Sequence, residues 1–127
     1  MTLSEARDRV TAFVDATVDA ASGDYPHRPD PGNGNRDCRG VSGHDDDLLY
    51  QYSIDFELPD DAAVTQLLEQ TRRHWDAEGL EIVERNIDTE SPALHAEDDD
   101  GFSYSLSVNR AVRSAGITGS TPCVDPD

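Results

Sequence analysis

Two cysteines, Cys38 and Cys123, are the only thiols in this chain. They flank the part of the sequence that reads as folded, one ahead of the first convincing strand and one behind the last, a placement that suggests a disulfide. Closing a loop of that length would add roughly 4 kcal/mol in the chain-entropy picture, comparable with the whole stability of a small domain. Structural disulfides persist in oxidising compartments. The first expectation is therefore an extracytoplasmic protein, either in the cell envelope or secreted.

Other residue types able to do chemistry are arranged less informatively. His27, His44, His74 and His95 lack the spacing of a metal-binding pair, and neither cysteine has a companion at zinc-finger spacing, so no metal and no cofactor are expected. His74, beside Trp75, reads as the edge of a buried helical stripe, and His95 as one face of a strand. Asp45, Asp46 and Asp47, and Asp98, Asp99 and Asp100 before Gly101, offer hard oxygen ligands but lack the alternation and distal Glu of a calcium loop. They read as turns, and as candidate acidic contact clusters. Ser103, Ser105 and Ser107 form a ladder without a nucleophile elbow or an ordered Ser, His, Asp set, so no catalytic residue is assigned. With Gln51, Ser53 and Asp55 they form the candidate binding surface, an open polar sheet face. Residues Pro31 to Asn35 are Gly-rich but lack the Lys and preceding strand of a phosphate loop.

The charge narrows the partners. With 27 acidic residues, 10 basic ones and a formal charge of −17, all cations other than histidine being Arg, the chain lacks the basic patch that nucleic acid requires. The acidity accounts for solubility, or for attraction to a basic protein. At 127 residues one domain is expected, residues 1–127, as a monomer. No run approaches the ~20 apolar residues of a membrane span. Met1 to Arg9 lack the apolar stretch of a secretory signal. The cysteines thus imply a signal or lipid-anchor segment upstream, whereas the literal start implies a cytosolic protein.

The elements that position these residues follow from local pattern. Thr2, Leu3, Ser4 and Glu5 have the form of a capping box. It opens a helix whose stripe is Leu3, Ala6, Val10, Phe13, Val14, Val18 and Ala21, ending at Gly23. Residues 22–36, with Pro26, Pro29 and Pro31, read as an exposed Pro/Gly-rich loop. A short strand is expected at Cys38 and Val41, then a turn from Gly43 to Asp47. Leu48 to Leu58 alternate as a strand with one wet face. Asp60 and Asp61 cap a second helix with Val64, Leu67, Leu68, Thr71 and Trp75 on its stripe and Gly79 at its C-terminus. Strands follow at Leu80 to Ile87, Ser91 to Ala96, Phe102 to Val108 and Ala115 to Gly119, with a hairpin at Glu97 to Gly101 and a frayed tail at 125–127. This order predicts an α+β fold, an antiparallel β-sheet with two α-helices packed on one face, since strands with one polar face cannot be covered on both sides.

From Leu3 to Val124 the chain resembles the LppA-like group of small extracytoplasmic lipoproteins of actinobacteria. The resemblance rests on Ser4-Glu5-Ala6-Arg7 in the first helix, Cys38 after the Pro/Gly-rich loop, and a second helix reaching His74-Trp75 and ending at Glu78-Gly79-Leu80. The closing Thr121-Pro122-Cys123-Val124 is its sharpest part. It implies a lipid-anchored or secreted α+β domain with a disulfide and no assigned activity. The functional expectation is a non-enzymatic domain that binds an envelope component or a protein of the envelope. The alternative is a cytosolic acidic immunity or inhibitor protein that masks a basic effector through residues 45–47 and 97–100.

Overall fold

The computed structural model describes residues 1–22, 24–38 and 47–126. Helix α1 (Leu3–Ser22) starts on the expected capping box. The Thr2 hydroxyl accepts from the Glu5 amide at 3.2 Å, and the Glu5 carboxylate accepts from the Thr2 amide at 3.3 Å and from its hydroxyl at 3.1 Å. Helix α2 (Asp61–Ala77) is capped by Asp60, whose carboxylate accepts from the Ala63 amide at 2.9 Å. At its other end Gly79 adopts φ +81°, and the amides of Leu80 and Gly79 bond the carbonyls of Trp75 (3.1 Å) and Asp76 (3.0 Å). That is a Schellman stop, which needs a residue free to enter the left-handed region.

Among the described residues seven strands form one antiparallel sheet: β1 (His27–Pro29), β2 (Gly34–Asp37), β3 (Leu48–Glu57), β4 (Glu81–Arg85), β5 (Ala93–Glu97), β6 (Ser103–Asn109) and β7 (Ser114–Ser120). The lateral order is β1, β3, β7, β6, β5, β4, with β2 sharing the outer edge of β3 with β1. From β3 the chain crosses through α2 to the far edge. It then returns strand by strand until β7 closes against β3. The expected α+β class, with both helices on one face, is the architecture found.

One correction concerns residues 22–36. This exposed segment is not only a loop, because it carries β1 and the start of β2. Prolines are compatible with β1 because it is an edge strand, paired only with β3. Between β1 and β2 the Asn33 side chain substitutes for strand backbone. It accepts from the Ser53 amide at 2.7 Å and donates to the Ser53 carbonyl at 3.0 Å. The strand expected at Cys38 and Val41 is not seen at Cys38, which lies just after β2. Val41 and residues 43–46 of the expected turn lie outside the described residues.

The core lies between the helices and one sheet face. Val10 and Val14 of α1, Val64, Leu67 and Trp75 of α2, and Phe56, Leu94, Leu106 and Ile117 of the sheet are buried. The Trp75 indole N–H donates to the Thr17 hydroxyl at 3.1 Å, which satisfies the polar end of the largest core side chain. Cys38 and Cys123 form a disulfide with Cα atoms 6.1 Å apart. It joins the end of β2 to the chain beyond β7, beside a bridge between Leu48 and Val124. No helix among the described residues is long and apolar enough to cross a membrane.

Candidate functional site

The second face of the sheet carries no helix, and strand register fixes what it presents. Gln51, Ser120, Ser103 and Glu97 form one cross-strand row, and Ser53, Thr118, Ser105 and His95 the next. Arg28, Asp55, Gly116 and Ser107 form a third row, and Glu57, Ser114 and Asn109 a fourth. All six residues of the sequence-derived surface, Gln51, Ser53, Asp55, Ser103, Ser105 and Ser107, lie on this face. They come from β3 and β6, which are not neighbours. A residue of β7 stands between the members of each pair, so the pairs are about 10 Å apart. The Ser53 hydroxyl bonds that of Thr118 on the intervening β7 at 2.7 Å.

A groove of about 630 Å³ opens where the third and fourth rows meet. Gly116 lines it together with Arg28, Asp55, Glu57, Ser107, Asn109 and Ser114, and the apolar Pro26, Phe56, Val108 and Ala115 also contribute to its lining. The groove exists because β7 has no side chain between Asp55 and Ser107. A Cβ at Gly116 would sit 3.5 Å from Asp55 Oδ1, an ordinary contact, so glycine is not forced there by sterics. By register the groove lies at the end of β3 opposite the disulfide.

Its electrostatics centre on paired carboxyls. Asp30, in the β1–β2 connection, acts electrostatically on the Asp55 carboxyl. Burial, then Asp30, pushes the Asp55 carboxyl above its ordinary value, with Arg28 opposing. Asp30 moves the other way. It is held below its ordinary value first by the Gly32 amide, which donates to Asp30 Oδ1 at 2.7 Å, and then by Asp55.

Of the acidic clusters, the one at Asp98 to Asp100 sits in the hairpin turn expected between β5 and β6. Asp45 and Asp46 lie outside the described residues. Asp47 is only 6% exposed, so it contributes no contact surface; its Oδ1 has no hydrogen-bond partner among the described residues. Asp98 is committed to the β5–β6 hairpin, where Oδ1 accepts from the amides of Asp100 (2.9 Å) and Phe102 (3.0 Å). The Arg9 guanidinium lies 3.0 Å from Asp98 and 2.8 Å from Asp100, and it covers the Phe102 ring at 4.2 Å. This cluster therefore ties a hairpin to α1, leaving Asp99 as the member without such a role. His74 is half-buried with its ring 6.0 Å from Phe13, at the edge of the α2 stripe. His95 lies on the open face, 3.6 Å from Glu97. Among the described residues no group of three or more His, Cys, Asp or Glu is placed to hold a metal ion.

Arg28, Gly116, Ser114 and Asn109 are groove residues that sequence reasoning missed. The signal for β7 was available in Ser114, Gly116, Thr118 and Ser120, which alternate with Ala115, Ile117 and Gly119 as clearly as the serines of β6 do with their apolar neighbours. Arg28 carried no such signal, since it sits among prolines.

No protein-family model and no curated protein matches the chain. Its fold is similar to the crystal structure of LppA from Mycobacterium tuberculosis, a protein described as a lipoprotein. The TM-score is 0.66 at 14% identity, over 97% of this chain and 78% of that one. The likeness expected from the short motifs is thus present at the level of the fold.

Proposed function

We propose that this chain is a non-enzymatic, extracytoplasmic domain that binds a component of the cell envelope on the open face of its sheet. The observation that carries this reading is the groove at Gly116, set in a face that is polar apart from the exposed Val83 of β4 and whose opposite side holds the core. A helix layer covers one face and leaves the other free, which is the arrangement of a binding platform. The compartment is supported by the disulfide and by the shared fold with a protein described as a lipoprotein. The competing reading, an acidic protein that masks a basic effector, draws less support because Asp47 is buried and Asp98 is engaged within the fold.

The test is sedimentation of the purified protein with isolated actinobacterial cell walls. A face-blocking variant, Ser105→Arg with Gly116→Val, is compared with a control that carries Ala12→Gln and Ala16→Gln on the exposed side of α1. Wild type and the α1 control are expected to sediment with the walls, and the face-blocked protein to stay in solution. Equal sedimentation of all three would remove the open face from the mechanism.

A further inference from the structure

The groove also indicates the class of ligand. This step rests on the open-face reading above and narrows it. Arg28, on β1, is a fixed donor, Asp55 on the adjacent strand is an acceptor, and register sets the two side by side on one face. Ser107 on β6 and Ser114 on β7 can donate or accept, and neither hydroxyl has a partner among the described residues. Glu57 adds a second acceptor, two residues along the strand from Asp55 and on the same face.

A ligand that satisfies these groups must itself donate and accept at several points a few ångströms apart. A fixed anion would meet Glu57, Asp55 and a chain of formal charge −17. A fixed cation would meet Arg28, already set against Asp55. A neutral polyhydroxyl chain avoids both penalties, because every hydroxyl donates to a carboxylate while accepting from a guanidinium or a serine. The volume of about 630 Å³ lies in the ordinary range for small-molecule sites. We infer that the groove between Arg28, Asp55, Gly116 and Ser107 binds a neutral oligosaccharide.

The probes are linear neutral trisaccharides of gluco, manno, galacto and arabino configuration, titrated at up to millimolar concentration while the backbone amides are followed by NMR. At least one is expected to bind, to shift amides of β3, β6 and β7 at the groove end, and to keep its affinity when salt is raised. Gly116→Val and Asp55→Ala are each expected to weaken binding tenfold or more. Ala12→Gln, on the exposed side of α1, should leave it unchanged. Urea midpoints for each variant confirm that loss of binding is not loss of fold. The inference is overturned when none of the four sugars shifts groove amides, or when Gly116→Val binds as wild type does. Failure of the sugars while the face-blocked protein still loses cell-wall binding rejects the ligand class alone. Failure of both rejects the open-face reading itself.

Discussion

Gly119 and Gly116 stand three residues apart on β7 and point to opposite faces, so the same substitution at each should have opposite effects on stability. At Gly119 an added Cβ would lie 2.6 Å from Val10 Cγ2, 2.8 Å from Val14 Cγ2 and 3.3 Å from Tyr104 Cδ1. Carbon atoms in good contact sit about 3.5–4.0 Å apart, so α1 would have to retreat by roughly 1 Å. Neither valine can swing aside, because a β-branched residue in a helix has one strongly preferred rotamer, and both are buried. Overpacking of this kind costs about 1–3 kcal/mol, offset by about 0.4–1 kcal/mol from the reduced freedom of the unfolded chain. The net expectation for Gly119→Ala is a loss of about 1–2 kcal/mol. At Gly116 the Cβ meets only Asp55 Oδ1 at 3.5 Å and the Ile54 carbonyl at 3.9 Å, so Gly116→Ala should gain about 0.4–1 kcal/mol. Urea unfolding of the oxidised proteins reads the difference directly, as midpoints separated by roughly 1 M at unchanged m-value. A Gly119→Ala protein as stable as Gly116→Ala would mean that α1 does not seat on β7 at this distance, and the account of the helix layer would have to be redrawn.

The disulfide gives a larger effect. It spans 85 residues, so replacing both cysteines by serine should cost roughly 4–5 kcal/mol on the chain-entropy account. A loss below about 1 kcal/mol would contradict that figure. The Asp30–Asp55 pair predicts a pH dependence whose sign is set by Asp55. Because its folded carboxyl holds the proton more tightly than the unfolded one, its contribution is full below the unfolded value and is lost as pH rises through the folded one. Asp30, moved downward, contributes above its unfolded value and loses that as pH falls. Asp55→Asn removes the first contribution together with the repulsion, so its thermal midpoint relative to wild type should improve between about pH 4 and pH 7. Parallel curves for the two proteins across that window would show that the carboxyls do not interact.

What was legible in the sequence is what local interactions decide. The capping box at Thr2 and Glu5, the α2 stripe stopped at Gly79, and the alternation in β3 and β6 each need only neighbours a few residues away, and each appears within a residue or two of its expected place. From the two wet strand faces the sidedness of the sheet followed, and with it the shared face of the six polar residues on β3 and β6. β1 and β2 were not legible because nothing in them alternates between buried and exposed. They are held by pairing with β3 and by the Asn33 amide clasping Ser53, contacts across some twenty residues that no local pattern announces. The partners of the acidic clusters were hidden for a related reason. Their charge is visible in sequence, but the Arg9 that meets Asp98 lies 89 residues away.

The groove was beyond local reading in a stricter sense, because it is made by an absent side chain whose neighbours belong to other strands. Only once β7 is known to lie between β3 and β6 does Gly116 become the gap between Asp55 and Ser107. The same strand then divides two tasks by parity. Ala115, Ile117 and Gly119 belong to the helix-covered side, with Gly119 admitting α1 to close contact. Ser114, Gly116, Thr118 and Ser120 belong to the open side, with Gly116 giving the groove its depth. Substitutions at even positions from 114 to 120 change a surface that water already wets, so they should alter binding at little cost in stability. At odd positions they change packing, so they should alter stability and reach the groove only through the backbone. Two glycines, each leaving out a side chain on its own face, thus let one strand serve the core and the binding surface without the demands of either limiting the other.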